Sequence, residues 1–367
     1  MTLKQKDGVK SADLPLCILA GSGAWQRIER DGLSASIFGA LVGASGGAKM
    51  LGITHLDRYL FGNYLQQSSQ PLELYGSSIG SWRHAALTAA DPLAAVIELQ
   101  ERYLNQKWDE NDRRSAGEIV DELCDWVVDG FCTSELLNQL CHHPRFTSHI
   151  ITARGRGLNS LANKIGLGIG MGVSAIGNAI SREILAAGFQ RVVFSSGPAS
   201  TFRFDDFSTQ HVTLTAKIVK QALLASGSIP FLMSGQRDIE GAPAGHYWDG
   251  GIIDYHFDFS NHVTDALVLY PHFSEQVITG WFDKKLPWRR NPAAMLDRTV
   301  ILAPSAAYLG RLPNGRFPDR NDFRRFSQAQ RIRYWQKAMA MSQELADAFD
   351  LVVNSHDPLA YITRLEN

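Results

Sequence analysis

Leu72-Glu73-Leu74-Tyr75-Gly76-Ser77-Ser78-Ile79-Gly80-Ser81-Trp82-Arg83-His84-Ala85-Ala86-Leu87 reads as a strand, a tight turn and a helix. The turn Gly76-Ser77-Ser78-Ile79-Gly80 fits G-x-S-x-G. That pattern lifts a serine hydroxyl onto a strained strand-to-helix turn where a substrate can reach it. Gly76 and Gly80 stand two residues either side of Ser78, where strand and helix approach closely. The following helix turns its positive end and unpaired N–H groups toward the serine, where negative charge develops during acyl transfer. An ordinary strand-helix turn is the plainer alternative, because a chain with 32 glycines can match the pattern by chance.

A second junction of the same kind lies upstream. Ile37-Phe38-Gly39-Ala40-Leu41-Val42 leads into Gly43-Ala44-Ser45-Gly46-Gly47, and then Ala48-Lys49-Met50-Leu51 opens a helix. This turn also fits G-x-S-x-G, yet a serine hydrolase needs one nucleophile. Ser45 could attack, or cap the helix, a position serine favours. The double glycine could instead point backbone N–H groups at an oxyanion. The preferred reading gives the attack to Ser78 and the oxyanion to the Gly46-Gly47 turn. The remaining requirement is a base, and Tyr247-Trp248-Asp249-Gly250-Gly251-Ile252-Ile253 offers one. A carboxylate before two glycines has no side chains beside it to block its approach. Asp-Gly-Gly is also a common turn signal.

Further out, short apolar runs at 16–20, 37–42, 72–75, 149–153, 191–195, 266–270 and 300–303 read as strands. Helices are expected at 24–30, 48–67, 81–90, 92–106, 116–141, 213–225 and 331–349. Strands separated by helices predict an α/β fold with a mostly parallel central sheet and helices on both faces, three layers in all. No linker stands out. Residues 1–275 are taken as the catalytic domain and 276–367 as a C-terminal helical extension packed on it. The apolar stretch 33–53 carries one charge, Lys49, but its five glycines divide it into strand, turn and helix start, so it is not a membrane span. Segment 165–177 alternates glycine with large apolar residues. It reads either as a site of close backbone packing or as a mobile apolar flap over a lipid site.

Of the 367 residues, 45% are hydrophobic and 20% charged, as in a folded globular protein. A net charge of −1 argues against an extended nucleic-acid footprint. Basic residues do cluster at 284–290 (Lys284, Lys285, Arg289, Arg290) and through 311–333. They read as a solvated helix face or as an attraction to anionic head groups at a membrane surface. Met1–Ser11 is polar with three lysines, so a reduced cytoplasmic setting with four free thiols is expected, peripheral contact with membranes included. Cys132, Cys141, His142 and His143 fit no common zinc spacing, and neither metal nor cofactor is expected.

Taken together, Gly-Gly-Ala-Lys at 46–49, Gly-Ser-Ser-Ile-Gly at 76–80 and Asp-Gly-Gly at 249–251 resemble the patatin-like phospholipases. That family carries G-G-x-R/K, G-x-S-x-G and D-G-G/A in this order. Gln221-Ala222-Leu223-Leu224-Ala225-Ser226-Gly227-Ser228-Ile229-Pro230 looks like its helix ending in an Ile-Pro turn shortly before the aspartate. The resemblance covers about residues 37–256. It implies a Ser78–Asp249 dyad, an oxyanion hole from Gly46, Gly47 and Ala48, and a basic position at Lys49. It also implies a lipid or lysolipid substrate whose carboxylic ester is cleaved in the manner of a phospholipase A or lysophospholipase. Gly76, Gly80, Gly250 and Gly251 support the two turns. Two departures stand out: Ser45 where a third glycine is common, and Met50 where glycine usually follows the basic residue.

Three other readings compete. An α/β-hydrolase with a Ser-Asp-His triad would take Asp249 or Asp265 and then His272 or His356. A patatin-like fold that binds lipid without cleaving it is the second. The third is a nucleotide-binding module begun by Gly21-Ser22-Gly23, but Gln26 occupies the place of its third glycine.

Overall fold

The computed structural model describes residues 14–109, 111–198, 202–258, 266–289 and 293–365. The lysine-bearing start of the chain, Asp265 and Arg290 lie outside the described residues. The strands are β1 (Leu16–Ala20), β2 (Phe38–Gly43), β3 (Leu72–Ser77), β4 (Phe146–Gly155), β5 (Phe189–Ser195), β6 (Thr209–Thr213), β7 (Gln236–Arg237), β8 (His246–Asp249), β9 (Leu267–Pro271), β10 (Thr299–Pro304) and β11 (Ile362–Arg364). They lie in one sheet in the order β11-β1-β10-β9-β2-β3-β4-β5-β6. The middle of that sheet, β10 through β4, is parallel throughout. These strands are buried almost without interruption, as expected when both faces are covered.

Helices α1 (Ser22–Asp31), α2 (Thr54–Tyr59), α3 (Ile79–Leu87), α4 (Pro92–Leu104), α5 (Ala116–Phe131) and α6 (Ser134–His142) come from the first part of the chain. Next are α7 (Lys164–Ile180), α8 (Arg182–Gly188) and α9 (Val219–Gly227). The last are α10 (Ala306–Arg311), α11 (Asp322–Arg325), α12 (Gln328–Met341) and α13 (Gln343–Val353). The result is the expected mostly parallel sheet flanked by helices. Most of the core is one continuous cluster built on the sheet. A smaller one gathers Leu167, Met171, Leu185, Phe189 and Trp248 beneath α7 and α8.

Several segments differ from the sequence reading, each for a local reason. The helix expected at 48–67 is broken into a 3-10 turn (Gly47–Ile53), α2, a π turn (Leu60–Tyr64) and a second 3-10 turn (Leu65–Gln67). Its first piece crosses the Phe317 ring so closely that a β-carbon on Gly52 would collide with it. The helix expected over 116–141 is interrupted at Cys132-Thr133, where the Thr133 hydroxyl accepts the Leu136 N–H at 3.2 Å and starts α6 afresh. The helix expected at 213–225 begins only at Val219, and Thr213 instead ends β6, which runs parallel to β5. The long C-terminal helix stops at Ser342, whose hydroxyl donates to the Met339 carbonyl at 2.6 Å. The chain after residue 276 is not only helical: β10 sits between β1 and β9, and β11 pairs β1. Segment 165–177 is helical, inside α7, where Gly170 lies against Leu158 and Asn159 and Gly177 against Ile184. Close packing therefore accounts for these two glycines, while Gly172 has nothing near it.

Candidate active site

Strand β4 is the ruler that brings the two distant motifs together. On one edge it pairs in parallel with β3 until Ser77 stands opposite Ile151. There β3 ends, and antiparallel β8 takes over the same edge, with Asp249 opposite Thr152. The residue after Ser77 and the last residue of β8 are thus neighbours by register. The Ser78 Oγ donates to Asp249 Oδ2 at 2.8 Å. Ser78 has φ 54° and ψ −130°, a conformation a side-chain-bearing residue holds only when its surroundings enforce it. Here the Ser78 N–H donates to the Ser226 hydroxyl at 2.9 Å, and that hydroxyl donates to the Ile151 carbonyl at 2.6 Å. The Ser78 carbonyl accepts the Ser81 hydroxyl at 2.7 Å.

The turn is also fixed by contact. At Gly80, α3 touches the end of β2 backbone to backbone, so a β-carbon there would strike the Gly43 carbonyl. A β-carbon on Gly76 would collide with Ser81. These two approaches explain why the flanking residues are glycine and why Ser78 heads α3.

Asp249 is buried and held at both ends. Its N–H donates to the Ser228 carbonyl at 2.8 Å, which ties it to the turn closing α9. Its Oδ1 accepts the Gly251 N–H at 2.7 Å. Gly250 packs on the Ile151 carbonyl. The loop beyond is pinned by Asp254, whose carboxylate accepts two hydrogen bonds from the buried Arg191, at 2.6 and 2.8 Å. Burial pushes the Asp249 carboxyl up to about 6, against the Ser78 hydroxyl, the Gly251 N–H and the charges of Lys284 and Arg320. A carboxylate of that basicity is a better proton acceptor near neutrality than an ordinary one at about 3.9.

The upstream glycine turn lies across from Ser78. Gly47 has φ 53°, and the 3-10 turn it begins leaves the N–H groups of Gly47 and Ala48 without acceptors inside that turn. The Lys49 N–H donates to the Gly46 carbonyl at 3.2 Å. A β-carbon on Gly46 would run into the Phe273 ring. Ser45 borders the same cavity as Ser78, beside Gly251, but its hydroxyl is engaged with another serine and not with the Asp249 carboxylate. Its N–H donates to the Tyr255 carbonyl at 3.0 Å, and its hydroxyl lies 3.0 Å from the Ser77 hydroxyl, both buried.

Ser78 sits where two cavities meet. The smaller, about 290 Å³, is the more polar of the two and takes in Asp249, Lys49, Lys284, Asp319, Arg320 and Asn321. The larger, about 650 Å³, is lined mainly by apolar groups, among them Trp82, Ile119, Val120, Leu123, Phe231 and Met233. Gly47, Tyr103, Ile229, Pro230, Trp281, Arg320 and Asn321 border both. The Lys284 ammonium lies 3.7 Å from the Tyr255 ring centroid. Burial, with Lys49 and Arg320 adding to it, lowers Lys284 to about 7 against the pull of Asp249 and Asp319. Lys49 is lowered too, chiefly by burial, with Asp319 opposing.

Sequence reasoning assigned no role here to Lys284, Arg320, Tyr255 or Trp281. The first two lay in basic clusters read as a solvated face or a membrane attractant, and the clusters do not form one surface. Lys284 and Arg320 line the cavity, Arg331 is buried 4.1 Å from the Phe323 ring centroid, and Arg311 pairs with Glu344. Residues Trp281–Lys285 form a 3-10 turn, which has no period that would have marked it in the sequence. Neither triad histidine borders Ser78's cavities. His272 is fully buried with Nδ1 at the Ser274 carbonyl, and burial holds it down at about 3. His356 is exposed in the turn after α13. His246 contacts the Ser234 carbonyl at 2.7 Å and His256 accepts the Ile278 N–H at 2.9 Å.

A family model described as patatin-like phospholipase matches residues 23–256. Comparisons with curated proteins and with solved structures returned no match. Among the described residues, no helix is long and apolar enough to cross a membrane.

Proposed function

This chain belongs to the patatin-like phospholipase family and is a lipid acyl hydrolase, and on that premise we propose that it cleaves phospholipid or lysophospholipid carboxylic esters through a Ser78–Asp249 dyad. The observation that carries this reading is the 2.8 Å contact from Ser78 Oγ to Asp249 Oδ2 at the junction of an apolar and a basic cavity. An acyl chain fits the apolar cavity, and the polar end of the ester faces Lys49, Lys284 and Arg320.

In the first step Ser78 Oγ attacks the ester carbonyl as Asp249 takes its proton. The N–H groups of Gly47 and Ala48, beside Gly46, hold the tetrahedral oxyanion, and the N-terminus of α3 adds its dipole. Asp249 then gives the proton to the departing alcohol. Water enters, loses a proton to Asp249 and attacks the acyl carbonyl; the acyl–Oγ bond breaks, the fatty acid leaves and Asp249 returns the proton to Ser78 Oγ. Lys284 and Arg320 on the basic side of the site favour the ionised form of Asp249.

The test is labelling with a fluorophosphonate, followed by peptide mapping. Modification on the peptide carrying Ser78, absent in Asp249→Asn, is the expected result. Labelling of Ser45 instead would reverse the roles of the two turns. Absence of labelling together with undiminished lipid binding would favour the non-hydrolytic reading.

A further inference from the structure

Helix α7 is apolar on both of its faces. Leu167, Met171 and the small residues Gly170, Ser174 and Gly177 are buried against the smaller core cluster. The opposite side carries Ile165, Ile169, Val173, Ile176 and Ile180, which are 79, 55, 59, 69 and 74% exposed. At 3.6 residues per turn these five fall within about 80° of the helix circumference. From 165 to 180 the helix has no charged residue. A helix in water normally turns a polar face outward, and one apolar all round is matched to apolar surroundings.

The row does not stand alone. Leu158 and Ile184, exposed as well, adjoin α7 at Gly170 and Gly177. Trp288 is 67% exposed, and the next residue, Arg289, donates to the Asn178 carbonyl of α7 at 3.0 Å. An aromatic ring held beside an aliphatic row suits the boundary between water and hydrocarbon. At the other flank Phe231, 46% exposed, lies 3.9 Å from where a β-carbon on Gly168 would be. Phe231 also lines the apolar cavity that reaches Ser78. The apolar face and the apolar cavity are therefore continuous. Lys164 begins the helix, and Lys285 and Arg289 stand on either side of Trp288 in sequence, against the exposed Glu183 just beyond the helix end.

We propose that the exposed row of α7, with Trp288 and Phe231, is the face by which this protein lies on an anionic lipid surface, with α7 in the plane of the interface. The helix is 17 residues long and does not qualify as a span. Continuity with the cavity and the basic border favour lipid over a second copy of the chain as the occupant. A lipid leaving the surface passes Phe231 and reaches Ser78 without crossing water. The direction of that passage rests on Ser78 being the attacking group; binding to the surface does not.

The experiment is flotation of the purified full chain with vesicles of phosphatidylcholine, with and without phosphatidylglycerol. A double variant, Ile169→Asp with Val173→Asp, is compared with wild type. Neither residue borders the cavities, so cleavage of a water-soluble ester and thermal melting are the controls for folding. Binding that is stronger with phosphatidylglycerol and at least about ten-fold weaker in the variant is the expected result. If the acidic pair lowers the melting temperature, Ile176→Ser with Ile180→Ser takes its place and should also weaken binding. Equal flotation of variants and wild type, or no flotation of wild type, overturns the proposal. So does a wild-type dimer that the variant turns into a monomer while vesicle binding persists, which would make the row a subunit interface. Vesicle binding without ester cleavage would leave this face in place and remove the hydrolase reading instead.

Discussion

Two turns of this chain share the pattern G-x-S-x-G and the same setting, a strand before and a helical start after. Their serines have opposite fates. Ser78 is held at φ 54° with its hydroxyl on Asp249. Ser45 is buried beside Ser77 and spends its N–H on the Tyr255 carbonyl. The difference arises outside the pattern. Strand β3 ends where β8 takes over the edge of β4, so the serine after β3 meets a carboxylate. Strand β2 has β9 and β3 as neighbours and no such handover, and the proposed part of its turn is backbone rather than a side chain. A motif of this kind thus marks a strained turn, and sheet register decides what the turn does.

The comparison breaks most sharply at the dyad. Ser78→Ala and Asp249→Asn should each lower kcat for ester cleavage by at least about 10⁴-fold, with little additional loss in the double variant, because the pair acts as a unit. Stopped assays against a soluble ester, with melting curves as controls, measure this. Substantial activity in Ser78→Ala would move the attack to the other turn. The next largest effect belongs to the backbone of that turn. Gly47→Ala forces a β-carbon onto φ 53° and shifts the N–H groups beside Ser78. Loss of one oxyanion donor predicts about a 100-fold fall in kcat with KM nearly unchanged. A change confined to KM would show that the turn binds substrate and does not stabilise the oxyanion.

What could be read from the chain follows the same division. The strand before Ser78 was legible because it is a short apolar run ending in glycine, and the Ser226–Pro230 turn was legible from its small residues; the four-residue strand β8 that carries Asp249 was not, because His246-Tyr247-Trp248-Asp249 shows neither an apolar run nor a clear alternation. Ser226 proved to be the hydroxyl that holds the Ser78 N–H, a role no local pattern announces. Lys284 and Arg320 were visible only as members of basic clusters. They come from a 3-10 turn and a loop, where no period links sequence to facing direction, and they reach the cavity through tertiary packing. The apolar alternation of 165–177 was noticed, but glycine's cost in helices obscured its helical nature. Only the helix shows that Ile165, Ile169, Val173, Ile176 and Ile180 share one side.

Those missed cations allow a finer test of the Ser78 side. If Asp249 accepts the proton, kcat/KM should rise with pH through a midpoint near 6. The midpoint lies above an ordinary aspartate because burial disfavours the ionised carboxylate. Lys284 opposes that burial effect by its positive charge. Lys284→Met removes the opposition, so the acid limb should move to higher pH. Arg320→Met should move it the same way. The sign for stability is opposite to the sign for activity. A carboxyl whose folded pKa is raised costs the fold stability as pH rises from the unfolded value of about 3.9 through about 6, and Asp249→Asn should flatten that part of the stability profile. An acid limb unchanged in both cation variants would detach the basic cavity wall from the dyad.

The smallest effect is the most direct measure of how differently the two serines are used. Ser45→Ala leaves the glycine backbone of its turn in place and removes only the hydroxyl beside Ser77. One buried hydrogen bond between neutral groups is worth about 1 kcal/mol, so a slight fall in melting temperature is expected. Activity should stay within about three-fold of wild type, since that corresponds to less than 1 kcal/mol of transition-state stabilisation. Parallel rate and melting measurements on Ser45→Ala separate the two quantities. A large rate loss with normal stability would mean that the Ser45–Ser77 contact sets the angle of the Ser78 turn, and that the two turns are coupled through side chains as well as through the oxyanion between them.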